Sequence, residues 1–103
     1  MIRICKLETD WCSPCKMLTP IFSEIKEELQ SDTIVFETIS EDDKRFFDLS
    51  SKFGVRNIPT ILIVDEFDIT LYGRITGLQT KDIIKNKIIE IIKEQNGKQK
   101  NSN

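Results

Sequence analysis

A stretch with helical spacing lies between two strand-like stretches near the start of the chain, and that order restricts the fold more than any other feature. Ile2, Ile4 and Leu7 alternate with Arg3 and Lys6, as in a strand with one buried face. Glu8, Thr9 and Asp10 form the loop after it. From Cys12 onward, Met17, Leu18, Ile21, Phe22, Ile25 and Leu29 recur at helical spacing and predict a helix to about Gln30. Pro20 lies inside that run and should kink it, because it removes a backbone donor and crowds the carbonyl one turn earlier. Thr33 through Ile39 is rich in β-branched and aromatic residues and reads as a second strand. Two strands joined through a helix must run parallel, with a right-handed crossover.

The rest of the chain supplies what such a unit needs to be covered. Ser40-Glu41-Asp42-Asp43 reads as a helix start with acids in its first turn, leading through Phe46, Phe47 and Leu49 to Phe53, with Gly54 as the stop. Thr60 through Val64 is nearly uninterrupted in apolar residues, the pattern of a central strand covered on both faces. Asp65 through Asp68 turn the chain, and Ile69 through Ile75 return it as the second arm of a hairpin. After Gly77, Lys81 to Lys93 places Ile84, Ile88, Ile91 and Ile92 on one side of a final helix, with Ile83 and Ile89 widening the stripe. The expected architecture is an α/β domain over residues 1–95: a mixed four-stranded sheet flanked by three helices, with helices on both faces. Residues 96–103 are expected to form a polar, disordered tail.

At 103 residues the chain has room for one core and no second domain. Net charge is only -2, with both signs mixed along the sequence, so no basic field exists to hold a nucleic-acid backbone or an anionic membrane. The segment Met1 to Cys5 lacks the charged, apolar and cleavage regions of a secretory signal, and no segment has membrane-spanning length. A cytoplasmic location is expected. Thiols are kept reduced there, so a closely spaced cysteine pair reads as catalytic or transiently oxidised, not as a permanent staple.

Cys12 and Cys15 are such a pair, at the joint between the first strand and the first helix. A C-x-x-C serves metal chelation as well as redox chemistry, but zinc commonly takes four ligands from two such pairs or from a pair with histidines. The chain has no histidine and only one cysteine beyond the pair, Cys5. A complete soft-ligand site would need carboxylates or a second subunit, whereas a reversible dithiol needs only the pair, so no metal and no organic cofactor is expected. Metal delivery through Cys12 and Cys15 stays open as a rival reading. A helix N-terminus offers unpaired N–H groups and partial positive charge that favour a thiolate, and Cys12 is placed there. Pro14 is tolerated in the first turn, where N–H groups lack intrahelical partners. Trp11 reads either as a core aromatic or as a flat surface beside the dithiol, and Cys5 as a small core residue.

Trp11-Cys12-Ser13-Pro14-Cys15-Lys16 resembles the active-site motif of thioredoxins, with serine where glycine is usual. Gly54-Val55-Arg56-Asn57-Ile58-Pro59-Thr60 resembles the segment that carries that family's cis-proline, and Gly77 falls where the family has a glycine facing the dithiol. The resemblance runs from Ile2 to about Ile92. It implies a compact thioredoxin-like core lacking the N-terminal strand and helix of full-length thioredoxins, and a protein-disulfide reductase activity. By that resemblance Cys12 is the exposed nucleophile and Cys15 resolves the mixed disulfide. Pro59 would be cis and oppose the cysteines, leaving Ile58 to pair with an extended substrate strand. Ile58, Pro59, Thr60, Gly77 and Trp11 would line the peptide groove.

Lys6 departs from the family pattern, which has a buried aspartate there and a lysine on the adjacent strand, at the position of Glu37. Two readings of a sign-swapped Lys6–Glu37 pair follow: a pair beneath the dithiol, with Glu37 or a water it orients as proton acceptor and Lys6 favouring the thiolate, or a solvent-exposed strand pair with no catalytic role. The implied partners are disulfide-containing proteins as substrates and thioredoxin reductase or a glutathione route as electron donor, with no nucleic acid or membrane and a monomeric state. Two rivals remain: a glutaredoxin-like glutathione-dependent reductase, and a non-catalytic thioredoxin-fold subunit of a larger enzyme. Against the first, glutaredoxins usually have proline-tyrosine inside the dithiol and threonine or serine before valine-proline.

Overall fold

The computed structural model describes residues 1–101. Strand β1 (Ile2–Glu8) leads into helix α1 (Ser13–Leu29), which returns the chain to β2 (Ile34–Ser40). Helix α2 (Lys44–Phe53), strands β3 (Thr60–Asp65) and β4 (Leu71–Thr76), and helix α3 (Lys81–Asn101) follow. The sheet has the order β2-β1-β3-β4, with β1 parallel to β2 and antiparallel to β3, and β3 antiparallel to β4. The expected crossover and hairpin are both present, and the sheet is mixed.

Alternation along β1 divides the core. Ile2 and Ile4 join Phe36, Ile61, Ile63 and Ile75 beneath Leu18, Phe22 and Ile25 of α1 and Ile84, Ile88 and Ile91 of α3. Cys5 and Leu7 point the other way, to Ile39, Leu62, Val64 and Leu49 of α2. One face is thus covered by α1 and α3 and the other by α2. Every residue of β3 from Thr60 to Val64 is buried, as a strand covered on both sides requires. At Gly73 in β4, an added Cβ would run into the end of the Ile91 side chain of α3, so a larger residue there requires that side chain to move.

Two boundaries differ from the sequence expectation. The acids at 41–43 precede α2 instead of filling its first turn: Asp43 is the N-cap, and its carboxylate accepts from the backbone N–H of Arg45 at 2.9 Å. Gly54 stops α2 as expected, in the left-handed region at φ 63°. Helix α1 runs as one element through Pro20. Helix α3 continues past Lys93 to Asn101, into the stretch expected as a tail. Lys, Glu and Gln are good helix formers and fill most of that stretch, so polarity there reflects a helix that has left the core and not a loss of helix. Residues 102 and 103 of the expected tail lie outside the described residues.

Candidate dithiol site

The end of β1 and the start of α1 bring Cys12 and Cys15 together. Cys12 is the N-cap residue of α1, with extended backbone at φ -97° and ψ 106°, and Pro14 stands in the first turn. Its Sγ accepts a hydrogen bond from the backbone N–H of Cys15 at 3.2 Å, so the sulfur takes the place that a serine or aspartate oxygen holds at an ordinary cap. The two cysteines form a disulfide with their Cα atoms 5.2 Å apart, inside the usual span for such a bridge. Cys12 keeps 5% of its surface exposed and Cys15 1%. The expected order of access holds, but Cys12 is itself largely covered, so an incoming disulfide has a narrow approach.

The loop before β3 closes the other side. The Ile58–Pro59 peptide is cis. Cys12 Sγ lies 3.8 Å from the Ile58 carbonyl oxygen. Pro59 and Thr60 are buried, and Ile58 is half-buried. Thr60 Oγ1 donates to the Asn57 carbonyl at 2.6 Å, which ties the loop to the strand it enters. Gly77, at φ 81°, donates its N–H to the Pro59 carbonyl at 2.8 Å and so fixes the chain after β4 against the same loop. Trp11 is 76% exposed, which rejects the core reading. Exposed Met17 and Leu78 line an open recess of about 380 Å³ with Ile21, Gln79 and Thr80. A larger recess of about 520 Å³ lies between β4 and α3, but none of the candidate site residues lines it.

The expected Lys6–Glu37 pair is not formed. Glu37 stands opposite Cys5 in the β1–β2 register, while Lys6 stands opposite Thr38, and neighbouring register positions face opposite sides of a sheet. Glu37 therefore lies on the α2 side. There its Oε1 accepts from Arg3 Nη1 at 2.7 Å and its Oε2 from Arg45 Nη1 at 3.1 Å. Arg45 also holds Asp68 through two hydrogen bonds, at 3.1 and 3.2 Å. Glu37 thus belongs to an ionic cluster on the far side of the sheet from α1, and its assignment as proton acceptor for the dithiol has no geometric basis. Cys5 sits beside this cluster, fully buried, with Sγ 3.5 Å from Glu37 Oε2. Burial first, and then the Glu37 carboxylate, push its thiol up to about 12. It is a small core residue, as expected.

Lys6 is paired instead with Glu8, whose Oε1 lies 2.9 Å from Nζ, and it donates to Thr19 Oγ1 at 3.2 Å. The sequence reading missed both partners, although the signal was present: residues two apart on a strand share a face, and Thr19 follows Cys15 by one helical turn. Among the described residues no group of three or more cysteine, aspartate or glutamate side chains is arranged to hold a metal ion.

A family model described as Thioredoxin matches residues 3–90. A thioredoxin of Rickettsia bellii is 41% identical over 54 residues, 52% of this chain and 49% of that protein. One of Rickettsia typhi is 47% identical over 55 residues, with the same shares of the two chains. The chain thus spans about half the length of the curated relatives it matches. Among solved structures, a thioredoxin of Nicotiana alata superposes with a TM-score of 0.69 at 26% identity, over 86% of this chain and 71% of that one. With the matched region reaching from β1 into α3 and the sheet order and cysteine pair in place, the chain belongs to the thioredoxin family.

Proposed function

We propose that the chain is a thiol-disulfide oxidoreductase that reduces protein disulfides through Cys12 and Cys15. The single observation that carries the reading is the Cys12 sulfur at the N-cap of α1, accepting the Cys15 N–H at 3.2 Å. That N–H is one of the donors a helix start leaves unpaired, and together with the helix dipole it favours negative charge on the sulfur. Lowering a thiol pKa from ~8.5 to ~7, a depression already known for the thioredoxin dithiol, corresponds to about 2 kcal/mol of preference for the anion.

In the proposed cycle the Cys12 thiolate attacks one sulfur of a substrate disulfide. A mixed disulfide forms and the other substrate sulfur leaves as a thiolate. Cys15, having given up its proton, then attacks Cys12 Sγ; the Cys12–Cys15 disulfide closes and the second substrate thiolate departs. Two electrons pass to the substrate, and the two protons lost by the cysteines end on its thiols. Cys15 is already within bonding reach, so the second step needs no rearrangement of α1. Pro14 fixes the backbone of the first turn between the two sulfurs.

Ile58, Pro59, Thr60, Gly77 and Trp11 form the substrate groove in this reading. The Ile58 backbone offers main-chain pairing to an extended segment, and Trp11 offers apolar area. Main-chain pairing carries little sequence information, so a broad range of disulfide-containing proteins is the expected substrate class. Electrons would return from a flavoprotein thioredoxin reductase or from glutathione, which places the chain in electron transport and redox homeostasis of the cytoplasm, as a monomer. Reduction of insulin disulfides, followed with each donor in turn, tests the reading. Turnover that requires both cysteines is expected; wild-type turnover no faster than the Cys12→Ser/Cys15→Ser double variant would refute it.

A further inference from the structure

Lys6 is 1% exposed, near the middle of β1 on the face that α1 and α3 cover. An ammonium buried without partners is costly, so what surrounds it determines what it can do. Glu8, two residues along the same strand, brings Oε1 to 2.9 Å from Nζ. That oxygen is buried and accepts no hydrogen bond among the described residues, so it meets Lys6 as an ion pair by distance. From α1, Thr19 Oγ1 accepts from Nζ at 3.2 Å and donates to the Cys15 carbonyl at 3.1 Å. The Phe22 ring centroid lies 5.3 Å from Nζ. One hydroxyl therefore joins the buried cation to the backbone of the resolving cysteine.

We propose that the Lys6–Glu8 pair sets the redox potential of the Cys12–Cys15 couple, Lys6 favouring the reduced form and Glu8 restraining that bias. The inference rests on the dithiol reading above and adds to it the residues that tune it. A disulfide carries no charge on which a neighbouring ammonium can act. Reduction by two electrons and one proton, supplied as two glutathione thiols close to their own disulfide, opens the bond and leaves one thiol and one thiolate; Thr19 ties the cation to the Cys15 backbone, in an interior where Coulomb interactions are stronger than in water. The ammonium therefore stabilises the reduced side of the couple, and the Glu8 carboxylate, of opposite sign at the same place, opposes it. Lys6 and Glu8 are positioning residues: they touch neither substrate nor reacting sulfur and act through α1 and through the field at Cys15.

Equilibrating the protein with glutathione buffers at pH 7 and reading the oxidised fraction by thiol trapping and mass spectrometry tests the sign. Lys6→Met keeps an apolar stem against Phe22 and removes the charge. It should move the equilibrium about tenfold toward the disulfide, about 30 mV. Glu8→Gln should move it the opposite way by about three- to tenfold, and the double variant should return to within about threefold of wild type. A merely structural pair would not give shifts of opposite sign. Equal signs for the two single variants, or no shift beyond about twofold in either, overturn the proposal. Should Lys6→Met fail to fold, Glu8→Gln decides alone, since a shift toward the disulfide, or none, contradicts it. A wild-type protein with no reversible Cys12–Cys15 couple overturns the dithiol reading and this inference together, whereas a reversible couple insensitive to both charges overturns only the inference.

Discussion

The Cys12 sulfur lies 3.8 Å from the carbonyl oxygen of Ile58, so the N-terminus of α1 and the loop before β3 meet at one atom. Neither element holds that contact alone. Helix α1 is positioned by Leu18, Phe22 and Ile25 on the sheet, and the loop by the hydrogen bond from Gly77 N–H to the Pro59 carbonyl. A segment paired with the Ile58 backbone would arrive with its disulfide beside the sulfur that attacks it.

The division of labour between the two cysteines is open to direct trapping. Cys15→Ser should accumulate a mixed disulfide between Cys12 and a disulfide-containing substrate, because the resolving thiol is gone. Cys12→Ser should accumulate none. Non-reducing gel mobility of the two variants incubated with oxidised substrate reads the outcome.

Replacing Glu37 by Gln should leave the dithiol untouched. Its partners are Arg3 and Arg45 on the α2 side, so the expected effect is a loss of about 1–2 kcal/mol of stability in urea unfolding. The pH profile of Cys15-dependent release of the mixed disulfide should match wild type. A displaced profile would return Glu37 to the mechanism.

Cys5 gives a stability signature at alkaline pH. Burial and the Glu37 carboxylate push its folded pKa from the ordinary thiol value of 9.0 up to about 12, so the folded state holds the proton more tightly. The associated stability is fully present below pH 9 and is lost as pH rises toward 12, by up to about 1.4 kcal/mol per pH unit. Urea midpoints of the oxidised protein, in which Cys12 and Cys15 do not titrate, should fall over that range more steeply than those of Cys5→Ala.

Trp11 is exposed, so its loss should separate activity from stability. Trp11→Ala should change unfolding free energy by no more than about 0.5 kcal/mol. It should lower kcat/KM for protein disulfides by about three- to tenfold through lost apolar contact. A small disulfide that makes no use of the groove should be reduced at nearly the wild-type rate.

Much of this was legible in the chain because the same residues carry both pattern and packing. The helical spacing of Leu18, Phe22 and Ile25 lies on the face that α1 buries, and the apolar run from Thr60 to Val64 is a strand covered on both sides. The cysteine pair was readable because its chemistry depends on local spacing at a helix start. Lys6 and Glu37 were misjudged because nearness of two strands was taken as nearness of side chains, while the register sets Lys6 opposite Thr38 and turns Glu37 to the other face. The extent of α3 was missed for a different reason: past Ile92 the core no longer shapes the sequence, and periodicity ends before the helix does.

The most direct test is the oxidation state of the purified protein across a series of glutathione buffers, read by intact mass and by peptide mapping of trapped thiols. A single two-electron transition is expected, with the oxidised form lighter by two hydrogens, the bond mapped between Cys12 and Cys15, and Cys5 reduced throughout. Persistent glutathione adducts on Cys12 without closure onto Cys15, or a pair that stays oxidised or reduced across the whole series, would contradict a dithiol that cycles.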